Sequence, residues 1–125
     1  MFTADQLVAH AVGDYILQTS WMANTKTRSH VAAGLHAFTY ALPFLLLRPS
    51  PAALAVIIVT HFLIDRFRLA RYVCWAMNQI GPLDDRSLTA TGFPAATPPW
   101  LAALLLTIDD NILHVLINGL ALGVL

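Results

Sequence analysis

Three histidine–aspartate pairs, each four residues apart, lie inside otherwise apolar stretches of this chain: His10 with Asp14, His61 with Asp65, and Asp110 with His114. A four-residue step returns to the same helix face about one turn along, so each pair points two metal-binding or proton-handling groups in one direction. Ionisable groups inside apolar segments are costly unless they are paired, coordinated or turned toward a wet interior. Any fold open to this chain must bring the pairs to such a place. A fourth histidine, His36, lies in the remaining apolar stretch.

Those stretches dominate the composition. Apolar residues make up 58% and charged residues 11%, with a mean hydropathy of +0.66, whereas soluble domains carry about a quarter charged residues. At 125 residues the chain is one domain by size. Its formal net charge is zero and no basic stripe is present, so nucleic acid is not an expected partner. Every acidic residue is an aspartate, an unusual choice for a surface made only for solubility. Cys74 is the single cysteine, which excludes an internal disulfide and a thiolate-rich zinc knuckle. Met1 to Leu7 lacks the basic start and small-residue cleavage site of a secretory signal, so the opening segment is expected to stay in the mature protein.

Four candidate spans follow, at about 3–19, 30–47, 51–67 and 99–124. A spanning helix needs about 20 apolar residues. The second and fourth stretches meet this comfortably, while His10, Asp14, His61 and Asp65 interrupt the first and third. The expected fold is an all-α integral membrane four-helix bundle. After Asp65 the basic and aromatic run RFRLARYVCWAMNQIG is either an extension of the third helix or an interfacial amphipathic helix ending at Gly81. An irregular polar loop covers about 81–98. Lys26 and Arg28 fall in the first connection and Arg66, Arg68, Arg71 and Arg86 in the third, against Arg48 alone in the second. The positive-inside rule makes the first and third connections cytoplasmic. Helical rise then gathers most of the ionisable groups in the cytoplasm-facing half.

Neutral imidazole and carboxylate suit a divalent metal, zinc first, with manganese or iron as alternatives. The candidate ligands are His10, Asp14, His36, His61, Asp65, Asp110 and His114. They exceed the four that one tetrahedral ion takes. Two ions sharing an aspartate, or one ion whose histidines are oriented by the remaining carboxylates, both fit. Asp65 and Asp14 are the candidate catalytic groups, because an unligated carboxylate beside a metal-activated water serves as general base. Lys26, Arg66 and Arg68 are candidate holders of a substrate phosphate, and Gln18, one turn beyond Asp14, is placed to bond the site or a headgroup.

A plainer reading stands beside each. One such pair is equally a hydrogen bond between helical turns, and a lone His36 is more often a packing residue; three pairs in separate stretches favour a common site. Asp109 is off the Asp110 face by about 100° and is the weaker ligand candidate of the two. His30 belongs at a helix entrance, and Asp5, Asp84 and Asp85 suit caps, turns or surface. Trp21, Trp75 and Trp100 suit interfacial anchoring. Gly13 allows close helix approach.

The segments HAVGDYILQTSWMANTK, LHAFTY, THFLID and DDNILH together resemble a family of small bacterial and phage integral membrane proteins of unknown function. That group in turn is similar to YdjM-like inner-membrane proteins classed as metal-dependent hydrolases. The resemblance runs from His10 to about His114 and implies the same seven candidate site residues. Asn111 departs from it, standing where glutamine would follow the aspartate. The function expected is metal-dependent hydrolysis of an ester or phosphoester, plausibly lipid-derived, with membrane lipid as partner and a homo-oligomer as a further candidate state. Metal-ion or proton transport, and a phage membrane effector with a structural His/Asp cluster, are the alternatives.

Overall fold

The computed structural model describes residues 2–81 and 86–125, and every regular element among them is helical. Asp84 and Asp85 lie outside the described residues. The chain divides into two compact units, Met1–Phe67 with His114–Leu125, and Arg68–Leu113.

In the first unit, α1 (Ala4–Ala11) starts where the Thr3 hydroxyl accepts the Gln6 amide at 3.2 Å, an N-cap that satisfies an otherwise orphaned donor. It runs without a break into a π-helical turn, Val12–Ile16, in which the Leu17 amide donates to the Val12 carbonyl five residues back. The short α2 (Ser20–Thr25) and α3 (His30–Ala41) are capped in the same way by Thr19 and Ser29. Pro43 cannot donate to the helix ladder, and α3 tightens into a 3-10 segment, Leu42–Leu47, that closes at Arg48 in the left-handed region. α4 (Pro51–Phe67) opens on a proline, favoured at a first helical position. The C-terminal part of α6 (Pro99–Val124), from His114 on, completes the unit.

Small residues let these helices approach closely. Ala9, Ala32, Ala33, Ala37, Ala41, Ala53 and Ala121 are buried. Tyr40, Phe44 and Ile57 supply the large apolar interior, and Gln6, His36, His61, His114 and Asn118 are buried with them. Large aliphatic side chains face outward instead: Leu46 is 86% exposed and Ile16 72%. An interior that mixes polar with apolar groups, under an exterior with many exposed aliphatic side chains, departs from the usual soluble pattern.

α3 with its 3-10 segment (His30–Leu47) and α6 are long and apolar enough to cross a membrane. Residues 4–16 and the 17 residues of α4 reach only about 20 and 25 Å, short of a hydrocarbon core of about 30 Å. The four-span bundle expected from the sequence is thus met in length by two segments.

In the second unit, Arg68 takes a left-handed conformation and separates α5 (Ala70–Asn78) from α4, so the run after Asp65 is a helix of its own rather than an extension. Gly92 (φ 81°) has no room for a Cβ against the Arg71 carbonyl. Trp75 Nε1 donates to the Arg86 carbonyl at 2.9 Å. Cys74 Sγ donates to Asp109 Oδ2 at 3.0 Å; burial, with that carboxylate beside it, pushes the thiol pKa up to about 12. Such a thiol is inert at neutral pH.

Candidate metal centre

Three elements of the first unit deliver four side chains to one point. The π-helical turn carries Asp14, the middle of α3 carries His36, and α4 carries His61 and Asp65 one turn apart. All four are buried, and each offers a donor atom within 4.8 Å of the others. His36 Nε2 lies 3.1 Å from Asp14 Oδ1 and 3.3 Å from Asp65 Oδ2. His61 Nε2 lies 3.1 Å from Asp65 Oδ2 and 3.9 Å from Asp14 Oδ1. From α6, His114 Nε2 stands 3.5 Å from the second carboxylate oxygen, Asp65 Oδ1. Lys26, at the C-terminal end of α2, reaches in from the rim and sets Nζ 2.8 Å from Asp65 Oδ2.

Apart from the hydrogen bond between His36 Nε2 and Asp14 Oδ1, the approaches suit ligands of a shared ion. Donors held about 2.0–2.1 Å from a tetrahedral ion stand about 3.3 Å apart, close to four of these nitrogen–oxygen separations, at 3.1, 3.1, 3.3 and 3.5 Å, with the fifth at 3.9 Å. His61 Nε2 and Asp65 Oδ2 are buried, yet their 3.1 Å approach is not aligned as a hydrogen bond. Groups whose lone pairs aim at a shared point pass each other in this way. The residues present therefore fit a divalent ion.

Two features hold the arrangement. Gly13 packs its backbone on α3 so tightly that a Cβ there would sit 2.5 Å from the Tyr40 carbonyl. This approach brings Asp14 to His36. The Tyr40 ring stacks on the His61 imidazole, with centroids 3.6 Å apart, and fixes its plane. The Tyr40 hydroxyl bonds His10 Nδ1 at 2.8 Å and accepts from Asn118 Nδ2.

His10 is thus turned to Tyr40, and His114 joins Asp65 from the far side. Asp110 is half-buried on α6 one turn before His114, and Asp109 pairs with Cys74. Gln18 is half-buried, with its side-chain oxygen shielded from solvent. Arg66 Nη1 donates to the Thr27 carbonyl at 2.8 Å, and Arg68 to the Ala90 carbonyl at 2.9 Å. His30 is exposed, as a helix entrance requires.

A family model described as a protein of unknown function, DUF3307, matches residues 2–84. The chain belongs to the DUF3307 family. The matched region holds His10, Asp14, Lys26, His36, Tyr40, His61 and Asp65, and so every residue of the four-ligand cluster; Asp109, Asp110, His114 and Asn118 lie beyond it. No curated protein and no solved structure matches this DUF3307 chain.

Tyr40, Asn118 and Gln6 have structural roles beyond the candidate ligands. Gln6 Nε2 donates to the Val115 carbonyl at 2.7 Å, tying α1 to α6 within the unit. A signal for all three exists in the chain: Gln6 precedes His10 by four residues, Tyr40 follows His36 by four, and Asn118 follows His114 by four.

Proposed function

We propose that this protein is a membrane-embedded metal-dependent hydrolase acting on an ester or phosphoester, plausibly of a lipid, through the His/Asp cluster. The observation that carries the reading is the convergence of Asp14, His36, His61 and Asp65, with His114 beside them, at separations that suit metal ligands. One or two ions, zinc first, would be held by these side chains, and would polarise a carbonyl or phosphoryl oxygen and activate water there. With two carboxylates at the centre, one serves as ligand and the other is available as general base. Lys26 and Arg66 bring positive charge to the rim for an anionic headgroup.

The outward aliphatic surface and the two helices of spanning length support residence in a bilayer. On this reading α1 with its π turn and α4 also lie within the membrane, completing a four-helix bundle, and the lysine–arginine distribution directs the cluster toward the cytoplasmic half of a bacterial inner membrane.

Elemental analysis of protein purified in detergent tests the metal. The expected result is a stoichiometric divalent ion whose removal by chelator lowers the melting temperature. Turnover of lipid esters or phosphoesters is then expected to vanish in Asp65→Asn and His61→Ala with helical content intact. Absence of any bound ion, together with indifference to chelator, would overturn the proposal. Ion flux into liposomes without turnover of any substrate would replace it with transport.

A further inference from the structure

We infer that Lys26 is a built-in counter-cation of the cluster, an ammonium that a divalent ion must displace from Asp65 before the ion is held. The inference rests on the metal reading of the site and adds to it a control on occupancy. Lys26 Nζ is 2.8 Å from Asp65 Oδ2, the same oxygen that His61 and His36 approach at 3.1 and 3.3 Å. The ammonium is therefore ion-paired with the oxygen that a metal at that point would need. A bound ion and the ammonium oppose each other there, because two cations a few ångströms apart in a poorly solvated interior repel strongly.

The charges are matched to an exchange. With neutral imidazoles, Asp14 and Asp65 contribute two negative charges and Lys26 one positive, so a net negative charge awaits an incoming cation. His36 and His61 face the ammonium's partner from α3 and α4, and His114 from α6. The Lys26 side chain is 17% exposed against 3% for that of Asp65, which places the ammonium at the rim with a path to solvent. Its flexible stem allows the head group to leave while the backbone stays. The backbone is held: Arg66, the residue after Asp65, donates to the carbonyl of Thr27, the residue after Lys26. Motion is thus confined to the lysine side chain.

The test is titration of zinc and of manganese into metal-stripped full-length protein in detergent, for wild type, Lys26→Met and Lys26→Gln. Removing the competing charge is expected to tighten binding at least tenfold, equivalent to about 1.4 kcal/mol, in both variants. Metal-free variants should melt below wild type, because their carboxylates lose the ammonium, and zinc should raise their melting temperature by more than it raises that of wild type. A variant that folds only when zinc is present supports the exchange equally, since the ion then takes the place of the ammonium. Unchanged or weaker affinity in the variants, while wild type binds metal, would overturn the exchange and leave the metal centre standing. Failure of the variants to fold with or without zinc would overturn it too, since the ammonium would then be a fixed part of the core. No binding by any of the three would remove the metal centre and this inference together.

Discussion

Replacing Gly13 by alanine isolates the link between helix packing and the cluster. The added Cβ would lie 2.5 Å from the Tyr40 carbonyl oxygen, 2.9 Å from the ring and 3.0 Å from the Tyr40 Cα, where ordinary contact begins at 3.4 Å. Two of these neighbours are backbone, so no side-chain rotation relieves the overlap. The π-helical turn and α3 must separate by about 0.9 Å, and Asp14 travels with the turn. Its 3.1 Å approach to His36 then lengthens to about 4 Å, well beyond the tolerance of about 0.2 Å that metal sites allow. Zinc affinity should fall at least tenfold. Stability has two opposed terms: alanine gains up to about 1 kcal/mol over glycine in a helix, and overpacking costs about 1–3 kcal/mol. The net is a loss of up to about 3 kcal/mol. Gly34 provides the control, since a Cβ there meets nothing within 4 Å. Gly34→Ala should melt at or above the wild-type temperature and bind zinc as wild type does. Thermal unfolding in detergent, with and without zinc, measures both quantities. Wild-type zinc affinity in Gly13→Ala would refute the reasoning, because the close approach would then have no part in placing Asp14.

Two further outcomes concern the imidazoles. An imidazole ligates only when neutral, and its ordinary pKa is about 6.5; zinc affinity should hold steady above about pH 7 and fall steeply below about pH 6, as equilibrium dialysis across that range would show. A metal affinity that does not change between about pH 7 and pH 4 would count against histidine ligation. Tyr40→Phe keeps the ring on His61 but removes the hydroxyl that serves His10 and Asn118. It should cost about 1–3 kcal/mol in unfolding free energy and change zinc affinity only a few-fold; abolished binding would mean that the hydroxyl itself acts at the ion.

Much of the interior is legible in the sequence because one rule generates it. A four-residue step marks a helix face, and the three His/Asp pairs follow that rule, as do the longer ladders from Gln6 through His10 to Asp14 and from His114 to Asn118. The amides and the tyrosine draw no notice in a search for metal ligands, although in a chain this apolar a buried polar group of any kind needs a partner. Other features are hidden for a different reason. The π turn at Val12–Ile16 and the left-handed residues Arg48 and Arg68 are departures from regular helix, and periodicity presupposes regularity. Arg68 divides a run that looks continuous in sequence, whereas Arg48 falls between two stretches already separate there. Lys26 is legible as a charge near the site but not as the partner of Asp65. Its α2 segment lies between two candidate spans, and only the folded path brings it over α4.

The polar interior has a consequence for how this chain can change over time. Between helices immersed in lipid, apolar contact provides little net drive to associate; close packing and polar contacts do more of the work. On the proposed membrane reading, Gln6, His36, His61, His114, Asn118 and the two central aspartates are part of what tells the helices which neighbours to choose. In a soluble enzyme an idle active site can drift toward apolar residues and gain stability. Here such drift would erode the assembly itself. On that reading, a descendant without the proposed chemistry would still be held to the same histidines and aspartates by the need to fold.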